Sequence, residues 1–445
     1  MSERAYVLEQ YRDQVTTVDD ALNDIDRSKC QDTQTFYEAK LATLWAKCRL
    51  TAAGAGLAEF SWRAFVAQEP VRKSSLREHP WDFVRIDLSD ASRYYQTSGT
   101  TGRPTPTPRS ATEILTNAVS VAESWRTLIA RKNARALSMI PSDVVPAGDL
   151  IVGVCEHLRI PVTRAYPFSM GMVDWDVLFG LIETLRPTVL FSAPGVLLQL
   201  TQIAKRRHQL DQLSTSLETV MLLGEVSTPT MRAMLGRNWN AAVFDASYGS
   251  TESGTLATCC LKDRLHVLTA ANLVELEING RVLPLDPGSV GNLIATPLNA
   301  DARPLLRMEM GDEVEVGSCD CGRDGPTIKV RGRASDRLLV KDSLLDTYGL
   351  ETVVYSATQA LGYMIEMTES GSYARLLLER DPDTLRSAEP SQIEALQNES
   401  TERLGFSWDG VVFVNDLPSA TRSGGSLKSW KRSNVAIVSA ASEER

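Results

Sequence analysis

Thr188-Val189-Leu190-Phe191-Ser192-Ala193-Pro194-Gly195-Val196-Leu197 begins with the β-branched and apolar residues of a strand. It turns at Pro194-Gly195 and runs into a helix whose inward face is Val196, Leu197, Leu200 and Ile203. The same order returns in Thr219-Val220-Met221-Leu222-Leu223, a strand that ends at Gly224-Glu225. Thr228 then offers a helix cap and Pro229 a first helical residue. This alternation, from about residue 115 to about residue 250, predicts a layered α/β domain. Loops that leave strands and open helices line one edge of such a sheet, where ligands commonly bind.

On the N-terminal side, Tyr37, Leu41, Leu44, Trp45 and Cys48 recur at helical spacing across residues 35–49 and predict a core-facing helix. Pro70-Val71-Arg72-Lys73-Ser74-Ser75-Leu76-Arg77 reads as a polar connector. On the C-terminal side, residues 268–330 carry short strand-like runs such as Val274-Glu275-Leu276-Glu277-Ile278. Turns fall at Asn279-Gly280 and Pro287-Gly288, which predicts a β-rich subdomain. A boundary is expected between Gly332 and Asp336, with a small α+β unit beyond it.

A length of 445 residues exceeds one compact core. Apolar residues make up 43% and charged residues 23%, within the range of ordinary folded proteins. Acidic residues outnumber basic ones, 56 to 47, so a formal charge of −9 disfavours nucleic acid and anionic membranes as partners. With no long apolar run and a polar N-terminus, the expected location is the cytoplasm. Seven cysteines, an odd number, argue for reduced thiols rather than a disulfide framework.

Four segments carry chemistry. Thr97-Ser98-Gly99-Thr100-Thr101-Gly102-Arg103-Pro104-Thr105 combines hydroxyl donors with two glycines that let backbone N–H groups converge on a phosphate. Its glycine spacing and the absence of a Lys-Ser/Thr pair exclude a Walker A loop. Tyr248-Gly249-Ser250-Thr251-Glu252 offers an aromatic face for a base, a glycine for close approach, and a carboxylate for Mg²⁺. Pro304-Leu305-Leu306-Arg307-Met308-Glu309-Met310-Gly311-Asp312 ends in a carboxylate able to accept both hydroxyls of a ribose. Val330-Arg331-Gly332-Arg333-Ala334-Ser335-Asp336 is basic and flexible. Taken singly, each also reads as a surface loop, a turn or a linker.

In this order and spacing the four segments resemble the signatures of the adenylate-forming superfamily, and most of all its phenylacetate–CoA ligase branch. The resemblance spans roughly residues 65 to 435. It implies a large multi-layered α/β domain over 1–333, including the β-rich subdomain, and a small mobile α+β domain over 334–445 that turns about a hinge near Asp336. It implies ATP with Thr97, Ser98, Gly99, Thr100 and Thr101 around the phosphates. Gly224 and Glu225 would line the adenine slot, Tyr248 would pack on the base, and Gly249 and Thr251 would lie beside the nucleotide. Glu252 would hold Mg²⁺, and Asp312 with Arg333 the ribose. Relatives also carry a Cys, His, Cys-x-Cys set. Here Cys319-Asp320-Cys321 with His266 and either Cys259 or Cys260 matches it, Cys260 by the better spacing, and would close a structural Zn²⁺ site.

The C-terminal pattern departs from the family. In Ser419-Ala420-Thr421-Arg422-Ser423-Gly424-Gly425-Ser426-Leu427-Lys428, Ser426 stands where the catalytic lysine is expected, and Lys428 two residues on is the candidate replacement. Met310, Arg103 and Asp342 replace a hydroxyl residue, a lysine and a glycine. The expected activity is AMP-forming activation of a small, aromatic acid and its transfer to CoA. Alternatives are an amine acceptor, nitrite as the activated anion, or a degenerate nucleotide binder. Tyr166-Pro167-Phe168-Ser169-Met170-Gly171-Met172 is the candidate acid pocket, although the same composition also describes core packing. A monomer or a homodimer is expected.

Overall fold

The computed structural model describes residues 3–30, 32–97, 104–141, 143–168, 172–333, 336–417 and 434–438. The chain divides into two compact units. The first comprises Met1–Asn133, Ser142–Val162 and Ala246–Val330, and the second Ala134–Pro141, Thr163–Asp245 and Arg331–Arg445.

The first unit opens with helices α1 (Glu3–Cys30), α2 (Thr33–Cys48), α3 (Trp62–Ala67) and α4 (Lys73–Glu78). Asp32 caps α2 by accepting the Thr35 N–H, and Phe36, Leu41, Leu44, Trp45 and Cys48 face inward as their spacing predicts. They pack with Phe65, Leu273, Leu298 and Leu306. The segment expected as a polar connector therefore contains a short helix, α4, whose Leu76 is buried. Strands β1 (Arg93–Gln96) and β2 (Pro106–Arg109) then pair antiparallel and lead into α5 (Ala111–Ile129). Ser110 and Glu113 form a capping box at the start of α5, each satisfying a backbone N–H of the other.

The chain next enters the second unit through β3 (Ala136–Met139). It returns to the first for α6 (Ala147–His157), which lies against α5. The layered part follows as β4 (Val162–Arg164), α7 (Trp175–Leu185), β5 (Val189–Ser192), α8 (Pro194–Arg206), α9 (Leu210–Ser214), β6 (Thr219–Leu222), α10 (Pro229–Trp239) and β7 (Ala242–Asp245). The five strands form one sheet in the order β4-β3-β5-β6-β7, with β3, β5, β6 and β7 paired parallel. Every residue of β3, β5 and β6 is buried, as expected of a parallel sheet covered on both faces. Thr228 caps α10 by accepting the Met231 N–H, as expected from the sequence.

Back in the first unit, an eight-stranded sheet is built from β8 (Ser247–Ser250), β9 (Gly254–Cys259), β10 (Leu265–Val267), β11 (Asn272–Ile278), β12 (Arg281–Pro284), β13 (Val290–Pro297), β14 (Met308–Gly317) and β15 (Thr327–Gly332). Its order is β12-β11-β13-β14-β15-β10-β9-β8. The sheet thus begins at Ser247, earlier than the strand-like composition from 268 onward suggests. Asn279 and Gly280 join β11 to β12 with φ of 51° and 75°, the mirrored two-residue turn that Asn-Gly favours.

The second unit ends with the hairpin β16 (Leu338–Val340) and β17 (Ser343–Leu345), α11 (Thr347–Ala357), β18 (Gly362–Met367), β19 (Ala374–Glu379), α12 (Glu389–Leu404), β20 (Gly410–Val414) and β21 (Val435–Ile437). The last four strands form a sheet in the order β20-β19-β18-β21, with α11 against α12. Within this unit Lys205 of α8 reaches Asp381 at 2.6 Å and Asp383 at 3.2 Å, the first a buried pair. The fold is mixed α/β throughout.

Candidate active site

The base of the hydroxyl-rich loop is a continuation of the β1–β2 pair. Beyond the last matched residues, Gln96 and Pro106, the Thr97 N–H donates to the Thr105 carbonyl at 3.3 Å and the Thr105 N–H to Thr97 Oγ1 at 2.9 Å. The Thr97 oxygen is thereby engaged, which leaves its hydroxyl proton to give. Ser98, Gly99, Thr100 and Thr101 lie outside the described residues.

Arg109, at the end of β2, ties this loop to the Tyr248–Glu252 segment. Its Nη2 donates to the carbonyls of Thr251 at 3.0 Å and Glu252 at 2.7 Å, and its Nη1 to Glu113 Oε1 at 3.1 Å. Glu113 Oε2 accepts the N–H groups of Ser110 at 2.7 Å and Ala302 at 3.2 Å. The Ser250 and Ser253 N–H groups each donate to the other's hydroxyl, and Asn117 Oδ1 accepts the Thr255 N–H at 3.1 Å. Gly249 is required for close approach, because a Cβ there would lie 2.1 Å from the Gly254 carbonyl oxygen. The Glu252 carboxylate therefore projects from a backbone that is fixed on both sides.

Tyr248 lies inside β8 and donates its hydroxyl to Asp312 Oδ2 at 2.8 Å. Asp312 sits on β14 where the register with β13 slips: Ile294 opposes Glu309 and Asn292 opposes Glu313, so β14 carries extra residues around Gly311, whose φ is 74°. The Gly-Asp pair is thus a strand bulge rather than an isolated turn. The start of β14 is anchored by Val71, which exchanges backbone hydrogen bonds with Arg307 and Glu309, both at 3.0 Å. Arg307 is paired with Glu275, whose carboxyl is raised by burial against the opposing pull of that arginine. Arg72 holds Glu277 below the usual carboxylate range through paired hydrogen bonds.

In the second unit, Gly224 has a φ of 90° just after β6, and Glu225 Oε2 accepts the Gly195 N–H at 3.3 Å in the first turn of α8. Arg333 follows β15 and its carbonyl accepts the Asp336 N–H at 3.0 Å. Lys428 and Ser426 lie outside the described residues, as do Ser169, Met170 and Gly171. Tyr166, Phe168 and Trp175 stack edge to face, with centroids 5.3 and 5.8 Å apart, against the core of this unit. Asp342 has a φ of 66° at the tip of the β16–β17 hairpin, a conformation that favours glycine.

Three charged residues were not singled out from the sequence: Arg109, Glu113 and Arg303. The spacing Ser110-x-x-Glu113 is a capping-box signal that points to Glu113. Arg303 is 1% exposed, and burial, followed by the neighbouring Arg109, lowers it to about 10 against the pull of Glu252 and Glu113.

The metal-ligating set falls together. Cys260, His266, Cys319 and Cys321 place their ligand atoms within 4.8 Å of one another. Cys260 Sγ is 3.8 Å from Cys319 Sγ, and Cys321 Sγ is 3.3 Å from His266 Nε2. A tetrahedron with Zn–S bonds of about 2.3 Å has edges of about 3.8 Å, so the donors fit the ion. Cys259 ends β9, and it is the next residue, Cys260, whose sulfur stands in the set. The N–H groups of Lys262 and Arg323 donate to the sulfurs of Cys260 and Cys321, at 3.4 and 3.5 Å. Burial, then Arg323, lowers the His266 imidazole and keeps it neutral, the form that binds a metal.

Sequence comparison gives the class. The AMP-binding enzyme family matches residues 8–294, and the chain belongs to that family. Its curated relatives in that family are coenzyme A ligases. Among curated relatives it is similar to the phenylacetate-coenzyme A ligase of Thermus thermophilus, 26% identical over 313 residues that cover 68% of each chain. The enzyme of the same name from Aromatoleum evansii is 25% identical over 344 residues, 74% of each chain. Among solved structures, 2-hydroxyisobutyryl-CoA ligase in the postadenylation state with 2-HIB-AMP aligns with a TM-score of 0.75 at 16% identity, covering 91% of this chain and 89% of that one. The anthranilate CoA ligase AuaEII with anthranoyl-AMP aligns at 0.53 and 15% identity, covering 78% and 67%. Among the described residues no helix is long and apolar enough to cross a membrane.

Proposed function

We propose that this chain is an ATP-dependent ligase that adenylates a small aromatic carboxylic acid and transfers the acyl group to CoA. The observation that carries the reading is Arg109. From β2, the strand that follows the 97–105 loop, it donates to the backbone carbonyls of Thr251 and Glu252, which ties the base of the loop to the segment that carries the Glu252 carboxylate. Tyr248 and Asp312, joined by a hydrogen bond, stand on the same sheet. In this reading Thr97, Ser98, Gly99, Thr100 and Thr101 surround the phosphates, and Gly224, Glu225, Tyr248, Gly249 and Thr251 receive the adenosine. Asp312 and Arg333 take the ribose, and Lys428 supplies the cation at the reacting carboxylate. The chain turns about Asp336 between half-reactions.

The chemistry follows from these roles. A carboxylate oxygen of the acid attacks the α-phosphorus of ATP, the bond to the bridging oxygen breaks, and pyrophosphate leaves. The sulfur of CoA then attacks the carbonyl carbon, AMP departs, and the thiol proton passes to solvent. Both anions repel, so fixed donors and cations that hold them in line lower the barrier. Glu252 is the residue that would hold Mg²⁺, which neutralises phosphate charge when bound. Cys260, His266, Cys319 and Cys321 would hold Zn²⁺ with no open position, a structural role.

The acceptor is tested by incubating enzyme, ATP and an aryl acid with CoA, a primary amine and nitrite in competition, and weighing the products. The reading predicts the acyl-CoA thioester as the dominant product. An amide or a nitrite-derived product in its place overturns CoA as acceptor and retains the adenylation step.

A further inference from the structure

Arg303 stands in the loop between β13 and β14, 1% exposed to solvent. Its Nη1 donates to the Pro106 carbonyl at 2.6 Å. Pro106 is matched with Gln96 in the β1–β2 pair, immediately below the closure between Thr97 and Thr105. The guanidinium therefore sits at the foot of the 97–105 loop. Its Nε and Nη2 are also shut off from water and have no hydrogen-bond partner among the described residues. Two acids stand nearby, Glu113 and Glu252, and neither hydrogen-bonds these donors: Glu113 accepts instead from Arg109, Ser110 and Ala302. A buried cation with two unanswered donors is costly unless an anion completes it.

We infer that Arg303 is a phosphate ligand of the nucleotide, giving Nε and Nη2 to the β- and γ-phosphate oxygens above the base of the 97–105 loop. The planar fork suits a phosphate, which presents paired oxygens to it. The inference rests on the ATP reading proposed above and deepens it. It assigns the departing pyrophosphate a fixed cation in the first unit, apart from Lys428. As the anhydride bond between the α- and β-phosphates breaks, charge accumulates on the pyrophosphate side, where this guanidinium is already desolvated and in place.

The test is isothermal titration of wild type, R303M and R303K with MgATP, magnesium pyrophosphate and adenosine, with thermal unfolding of each. R303M removes the charge at similar length and leaves no unpaired donor, so it is expected to fold. The expected result is a roughly ten- to hundred-fold weaker affinity for MgATP and magnesium pyrophosphate in R303M, with adenosine unchanged. R303K, a point charge without the fork, should fall between them. Unchanged MgATP affinity in folded R303M overturns the inference and leaves the ATP reading intact. Should R303M not fold, R303K decides, and wild-type affinity in it overturns the inference. Wild type that binds neither MgATP nor magnesium pyrophosphate overturns the ATP reading and this inference together.

Discussion

Burial separates the thiols of this chain into reactive and inert ones. Cys48 and Cys155 are enclosed by apolar neighbours, and burial pushes both up to about 12 from an ordinary value of 9.0. Cys30 is exposed. A disulfide reagent at pH 8 should modify Cys30 quickly and reach Cys48 and Cys155 only as the protein unfolds. Mass spectrometry of the labelled peptides checks this, and labelling of Cys155 at the rate of Cys30 would contradict it. The sign of the linkage follows. The folded thiols stay protonated where the unfolded chain ionises, so their contribution is whole below about pH 9 and is lost as pH rises toward 12. Urea midpoints should fall across that window, and less steeply in C155A than in wild type. Arg109 is the residue whose position matters most to the site, because it serves the loop strand and the Glu252 turn at once.

At the level of elements, the metal set sits where neighbouring strands of the eight-stranded sheet end, β10 being paired with β9 on one side and β15 on the other. Cys260 follows β9, His266 lies on β10, and the Cys319-Asp320-Cys321 turn connects β14 to β15. One ion bound there would fasten all three, and its binding free energy would be folding free energy. Purified protein should contain about one zinc per chain, and C321S about none, with a lower melting temperature. Elemental analysis of the two proteins is the measurement, and full occupancy in C321S would exclude the site. These donors were legible in the sequence because zinc demands few residue types at short spacings. The strands and helices between 188 and 239 were legible too, since burial on both faces leaves unbroken apolar runs and Thr228-Pro229 marks a helix start. Tyr248 was harder to place. Tyr-Gly-Ser-Thr reads as a loop, yet Gly249 lets β8 press against Gly254 and remain a strand. Arg109 and Arg303 carry no periodicity at all, and only the folded chain shows what they face.

At the scale of the whole molecule, sequence order and spatial grouping do not coincide. The chain leaves the first unit after α5, re-enters it for α6, and returns again at β8. The phosphate-loop strands and the Tyr248, Glu252 and Asp312 segments belong to the first unit, and Gly224, Glu225, Arg333 and Asp336 to the second. Each unit has its own apolar core, so each group of residues is supported independently of the other. The central claim, that the protein activates a carboxylic acid with ATP, is tested most directly by exchange of labelled pyrophosphate into ATP across a panel of aryl and short-chain acids. The account predicts exchange that requires Mg²⁺ and one or a few aromatic acids and needs no CoA. Absence of exchange with every acid, in folded protein that binds MgATP, would contradict it.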